Sequence, residues 1–347
     1  MSILDEFRAW LEGRSEEESF FSGTFWLLFS RLPEVEFHRA LELNAVSVSP
    51  IPAVARSTTS TVYMRTGNSV RATFAELPVH RDNFRILFSL DKPAQALRPM
   101  YRLLTRTRGR VSLFPLGAPL VKACARLVPG QPLEETQVLR GVSYPTRPSY
   151  GGADINLRPG NASVFFARLR EDRRVLKTAK LRAPTGKSSF CEFTVGRAGY
   201  ITYHKGTLGP LLDLVASELP KKLSDSVRPF EKAGGRFVEF RFEEPLFVDR
   251  TNYSVVVDAL SHLPRTSLAL LHTNPYFHAA LTNYEDGSEF DIFITGHSTI
   301  SIQGREEASP ASFLRIQNGL TEQFRDASVS LERPAEFGMQ DLLDGQV

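Results

Sequence analysis

The sequence predicts an α+β protein in which two related antiparallel sheet-plus-helix repeats follow an N-terminal α/β region. Three observations carry this expectation. Between Gly235 and Ala327 the elements read as strand, helix, four strands, helix. A stretch 99 residues earlier repeats part of that pattern, as set out below. The 347-residue chain is 42% apolar and 10% aromatic, which suits a folded protein with room for more than one domain. The expected division is residues 1–97 as a mixed N-terminal region and 98–234 as a first repeat with a long Pro/Gly-rich insertion. Residues 235–327 form the second repeat, and 328–347 an acidic tail.

Ile3, Leu4, Phe7, Trp10 and Leu11 form the apolar stripe of a short helix, which Gly13 is expected to end. Phe20–Leu32 is a buried segment whose periodicity does not separate helix from strand. Val46–Thr61, rich in Ser, Thr and Pro, reads as a loop. Val70–Leu77 and Phe84–Leu90 read as strands and Pro93–Thr107 as a helix. Arg108–Leu116 follows as a strand and Pro119–Val128 as a helix. Five Pro and Gly breakers or more between Pro129 and Gly160 predict a surface excursion with one strand near Thr136–Val142. Ala162–Leu169 and Val175–Leu181 are expected as strands around a charged turn.

The internal match begins at Cys191. Cys191, Phe193 and Val195 alternate inward as Phe290, Ile292 and Ile294 do, and Ile201-Thr202-Tyr203 lies over Ile300-Ser301-Ile302. Each copy then enters a helix with a proline near its start, Pro210 or Pro310, and Ser309 is placed to cap the second. In the second copy Gly235–Glu243 is the first strand and Arg250–Leu263 the first helix. Ser267–His272, Tyr276–Tyr284, Ser288–Thr295 and Ser298–Gln303 are the four further strands, and Ser309–Arg325 the closing helix. This element order, in tandem over the last two-thirds of the chain, resembles the TATA-box-binding protein family. The resemblance implies an open concave sheet face that meets nucleic acid and wedges phenylalanines between base steps. It rests on element order, and no site residue is carried over from it.

Charge is uneven along the chain. Arg98–Lys187 holds 18 Lys and Arg against 5 Asp and Glu, a balance of +13, while the remainder holds 24 against 34, a balance of −10. A basic middle between acidic ends suits a polyanion partner. Arg102 and Arg106 share a helix face, with Arg108 and Arg110 just beyond. Arg168, Arg170, Arg173, Arg174, Lys177, Lys180, Arg182 and Lys187 are placed on a strand pair and its turn, with Phe166 beside the guanidinium groups for base stacking. The expected role is therefore a non-catalytic subunit that binds DNA or RNA. The alternative is a scaffold that docks an acidic protein or its own kind. The acidic turn Glu285, Asp286 and Glu289 in the second repeat is expected to repel phosphate.

Other chemistry finds little support. Cys124 and Cys191 have no metal-ligand spacing, and no cofactor is expected. His272, His278 and Asp291, with His297 near in sequence, suggest a metal-assisted hydrolase as a third reading, but simple alternation spreads them over both sheet faces. Ala183-Pro184-Thr185-Gly186-Lys187-Ser188 ends like a phosphate loop, yet Leu181 stands where its first glycine belongs. The start lacks a signal-peptide pattern, and no apolar run is long enough to cross a bilayer, so a soluble cytoplasmic protein without membrane contact is expected. Phe337, Met339, Leu342 and Leu343 punctuate the acidic terminus.

Overall fold

The computed structural model describes residues 3–17, 22–42, 45–48, 57–63, 69–77, 79, 83–145, 155–157, 159–233, 237–242, 245–246, 253–273, 276–305 and 308–324. The chain is α+β, with two antiparallel sheets. It opens with α1 (Ile3–Glu17), β1 (Gly23–Ser30), α2 (Glu34–Glu42), β2 (Ala45–Val48), β3 (Ser57–Tyr63), β4 (Ser69–Leu77) and β5 (Phe84–Ser89). Next come α3 (Pro93–Thr107), β6 (Val111–Leu113), α4 (Ala118–Ala125), β7 (Gln137–Pro145), β8 (Ile155–Leu157), β9 (Gly160–Asn161) and α5 (Ala162–Glu171). Then follow β10 (Arg174–Pro184), β11 (Phe190–Gly196), β12 (Tyr200–Gly206), α6 (Gly209–Asp213), a π-helical turn at Leu214–Glu218 and α7 (Leu219–Ala233). The last part is β13 (Phe237–Arg241), α8 (Ser254–Ser261), β14 (Thr266–His272), β15 (Phe277–Asn283), β16 (Glu289–Gly296), β17 (Thr299–Gly304) and α9 (Pro310–Gln323). Among the described residues no helix is long and apolar enough to cross a membrane.

The large sheet runs β2-β3-β4-β5-β1-β12-β11-β10-β7-β8, with β6 also on β1 and β9 on β7. Strand β1 is its hub. All eight of its residues are buried, because its near-unbroken apolar run serves two cores. Phe25, Leu27 and Phe29 enter a large core shared with α1, α4, α5, α7 and the second sheet. Trp26 and Leu28 enter a smaller one closed by Phe37 of α2 and Met100, Leu103 and Leu104 of α3. The sheet crosses the expected boundary at residues 97–98, since Gly23–Trp26 pairs with Tyr200–Tyr203.

Three local expectations need correction. Gly13 does not end the first helix, which continues to Glu17. The Ser/Thr-rich Val46–Thr61 holds strand β2 and part of β3; β-branched Thr suits a pleated surface as well as a loop. Ala162–Leu169 is helix, not strand. Ala162, Phe165, Phe166 and Leu169 are all buried on one helical stripe, and the Asn161 side chain accepts from the N–H groups of Ser163 (2.8 Å) and Val164 (3.2 Å) as its N-cap. Helix α2 was not foreseen at all. The expected acidic tail at 328–347 lies outside the described residues.

The second sheet runs β13-β17-β16-β15-β14, with α8 and α9 on its core side. Across the large sheet, β1-β12-β11-β10-β7 has the same order: a four-strand meander whose last strand carries a fifth strand antiparallel. That fifth strand is β1, from the N-terminal region, rather than the expected Arg108–Leu116 segment, of which only β6 pairs, and with β1.

The two halves join through a buried polar knot. Asp286 accepts hydrogen bonds from Ser112 Oγ (2.5 Å), Ser312 Oγ (2.6 Å), Asn283 Nδ2 (3.1 Å) and the Ser288 N–H (3.0 Å). Glu285 is buried against Arg315, and Phe230 of α7 stacks on Phe313 of α9 at 5.3 Å. The Arg265 guanidinium lies 3.8 Å from the Tyr101 ring centroid. Of the acidic turn expected to repel phosphate, Glu285 and Asp286 are therefore consumed internally, while Glu289 lies half exposed beside Arg305. A carboxylate with four donors cannot be deleted without stranding them. Asp286→Ala is expected to lower folding stability by about 3 kcal/mol or more, read from urea unfolding midpoints.

Candidate nucleic-acid interface

Among the described residues, the side of the meander β12-β11-β10-β7 that faces away from the large core carries no buried apolar cluster beyond Tyr200, which packs on Trp26 at 5.3 Å. Alternation forces this. With Cys191, Phe193, Val195, Ala179, Leu181 and Ala183 turned into the core, Phe190, Glu192, Thr194, Lys180 and Arg182 must point the other way.

Glu192 sits at the centre of this face, with only 2% of its surface exposed. Arg182 Nε donates to its Oε1 at 2.8 Å, Lys180 Nζ stands 3.4 Å from Oε2, and Lys205 Nζ stands 3.5 Å from Oε1. Burial by itself raises the Glu192 carboxyl, but hydrogen bonds and charge from Arg182, then Lys205 and Lys180, outweigh it and hold it below the usual carboxylate range. Arg140 is the cross-strand partner of Lys180. Three cations, Lys180, Arg182 and Lys205, thus surround one anion, and these four side chains keep a net charge of +2.

An aromatic ring lies among these cations. The Arg182 guanidinium stands 4.9 Å, and the Lys205 ammonium 5.9 Å, from the Phe190 ring centroid. Beside Phe190 opens a cleft of about 350 Å³, lined by Glu12, Ser188, Ser189, Thr207 and the Gly206 backbone among others. Gly206 is required there. Its φ is +95°, and a Cβ would come within 2.0 Å of the Phe190 carbonyl oxygen.

Of the residues singled out from the sequence, Lys180, Arg182 and Lys187 come together along the β10–β11 hairpin, Lys187 at its exposed tip. The others do not join them. Phe166 is buried in the large core, edge-on to Phe165 at 5.6 Å and under Lys122, so it cannot stack a base. Arg168 and Arg170 lie exposed on α5, which packs on the opposite face of the sheet, and Arg173 follows in a left-handed turn. Arg174 is tied to Ser143, its Nε donating to Oγ at 2.9 Å, and Lys177 is exposed where the β7–β10 register slips. Arg102 and Arg106 ride on α3, and Arg108 turns the chain in left-handed conformation beyond it. Arg110 lies 3.9 Å from Glu36, past the Ser30 end of β1, whereas Glu192 lies past the Gly23 end. Arg140, Phe190 and Lys205 were not foreseen. The outward parity of Phe190 was nonetheless legible from the inward assignment of Cys191, Phe193 and Val195.

The second sheet has its own polar face. His278 Nε2 lies 3.1 Å from Asp291 Oδ1, and its ring stacks on Phe293 at 4.3 Å and faces His272 at 6.2 Å. These groups share one face, contrary to the simple alternation, because a bulge at Leu271 resets the parity of β14. Arg305 clasps Asp291 through Nε (2.9 Å) and Nη2 (3.0 Å) and reaches Glu289 at 3.1 Å. Hydrogen bonds from Arg305, against the opposing effect of burial, and then from His278 hold Asp291 below its ordinary range. Among the described residues no group of three or more His, Cys, Asp or Glu is placed to hold a metal ion.

His204 reports on the basic face. Its Nε2 lies 2.8 Å from Thr194 Oγ1, and burial, followed by the charge of Lys180, pushes its pKa down to about 4 from 6.5 against a smaller opposing pull from Glu192. The unfolded chain therefore binds this proton first. The stability that His204 leaves intact above about pH 6.5 is lost as pH falls toward 4. His204→Gln is expected to flatten the pH dependence of the unfolding midpoint in that window, measured by urea titration at a series of pH values.

No protein-family model matches this chain, and no curated protein matches it.

Proposed function

We propose that the chain is a non-catalytic nucleic-acid-binding subunit that meets phosphate on the open face of β12-β11-β10-β7. The observation that carries this reading is the group of Lys180, Arg182 and Lys205 around one buried carboxylate, with Phe190 between two of the cations. Glu192 holds the cations at fixed positions without cancelling them. Phosphate contact then releases counterions from the backbone, and Phe190 offers a ring face to an unpaired base. The Arg residues of α5 point elsewhere and have no part in this contact.

The same reading includes descent of the two five-strand sets from one duplicated unit. The 99-residue offset supports it in three dimensions. Val195 pairs with Ile201 as Ile294 pairs with Ile300, and Thr194 with Thr202 as Phe293 with Ser301. The offset also places Glu192 over Asp291, each an acid clasped by a basic side chain on the same kind of sheet face. On this view the first set kept a cationic surplus and the second did not, which supports the expected resemblance to TATA-box-binding proteins while confining nucleic acid to one half.

Anisotropy titration of labelled single- and double-stranded oligonucleotides over a range of salt concentrations tests the assignment. The triple variant Lys180→Glu, Arg182→Glu, Lys205→Glu should lose most affinity, and its log K against log salt slope should shrink by about 2 to 3. Reversal of Arg168, Arg170 and Arg173 should leave the slope within about 0.5 of the parent value. Affinity that survives the first variant and fails in the second would sink the proposal.

A further inference from the structure

Three large exposed apolar side chains gather on one sheet edge. Leu270 (48%), Leu271 (47%) and Tyr276 (50%) lie on β14 and the turn that leaves it, and Ala269 and His272 beside them are exposed too. Strand β14 is the last of the second sheet, and among the described residues its only strand partner is β15. A flat apolar edge with open N–H and C=O groups is a template for another strand, and proteins usually guard such edges with charge, proline or a cover. Thr266–His272 contains neither Lys, Arg, Asp, Glu nor Pro. The opposite edge, β13, carries Glu239 and Arg241.

The large sheet shows what a covered version looks like. Strand β7 has the place in β1-β12-β11-β10-β7 that β14 has in β13-β17-β16-β15-β14. The outer side of β7 is closed by β8, through Gly141–Leu157, Val142–Asn156 and Ser143–Ile155, and by β9 through Gln137–Asn161 and Val138–Gly160. The chain between β7 and β10 supplies that cover. Only four residues, 273–276, separate β14 from β15, too few to supply such a cover, which has to come from elsewhere.

We propose that β14 pairs antiparallel with β14 of a second copy across a two-fold axis, joining two five-stranded sheets edge to edge. The strand suits itself. An antiparallel two-fold pairing sets each residue opposite another from the same strand, and a strand without Lys, Arg, Asp or Glu sets none of these charges against its like. The bulge at Leu271 sits near the end of β14 and leaves Thr266–Leu270 in regular register for pairing. Leu270, Leu271 and Tyr276 would lose their exposure at the seam. This contact is independent of the basic face, which lies on the other sheet.

Light scattering of the full chain after size exclusion, between about 1 and about 100 µM, reads the outcome, since an edge of this size forms a modest interface. The expected result is a mass that rises from one copy to two over that range, and Leu270→Lys should hold the chain monomeric with an unchanged melting temperature. A second measurement fixes the place. In Leu270→Cys, a short bis-maleimide should cross-link two copies, whereas Val164→Cys, equally exposed on α5, should not cross-link. The native thiols are silent controls, because Cys124 and Cys191 are buried, and burial pushes both up to about 12. A mass that stays at one copy throughout overturns the proposal. A dimer that persists in Leu270→Lys, or cross-linking no better in Leu270→Cys than in Val164→Cys, overturns it as well.

Discussion

Burial of β1 on both faces is the constraint on which the architecture rests. Its alternate residues serve separate cores, Phe25, Leu27 and Phe29 on one side and Trp26 and Leu28 on the other. A strand committed in this way cannot slip by one residue without exchanging the two sets. Its register with β5 and β12 therefore fixes how the N-terminal strands continue into the meander. Helices α2 and α3 cover the second core only as far as Tyr200. Where they stop, the same sheet face carries Lys180, Arg182, Glu192 and Lys205 instead of an apolar cover.

That boundary shapes the chemistry. On the uncovered part, side chains of one parity are free to be polar, and the protein places three cations there over a nearly buried carboxylate. Removing the carboxylate from water costs energy that hydrogen-bonded cations offset, and the cations in turn lose freedom around a common anchor. The outcome is an ordered basic surface with a residual positive charge. In the second sheet Arg305 is shared between Asp291 and Glu289, so these groups carry no cationic surplus.

Much of the fold was legible because periodicity reports burial. Pro93–Thr107 was expected as a helix with the boundaries of α3, and the order from β13 to α9 was expected throughout. The errors share a cause. The stretch from Ala162 to Leu169 has apolar residues at both helical and alternating spacings, and the decisive signal was the Asn161 cap. The expected stacking residue Phe166 failed with that strand assignment. The arrangement sought there, a ring beside guanidinium on an open sheet, exists at Phe190, one hairpin farther along. His272 was misplaced for a comparable reason, since one bulged residue reverses the parity of everything after it.

Sequence alone determined most of the local periods, the Ser309 cap and the basic bias of residues 98–187, since each depends on neighbours close in the chain. Only the tertiary structure decided which of those basic residues share a surface. Arg168 and Lys180 are twelve positions apart in sequence yet lie on opposite faces of one sheet, whereas Lys205 meets Arg182 across β11. The acidic turn Glu285–Asp286 likewise looks like a repulsive surface in sequence and is a buried joint in space, because the donors that satisfy it come from Ser112, Ser312 and Arg315. Composition counts charges; strand order decides which of them meet.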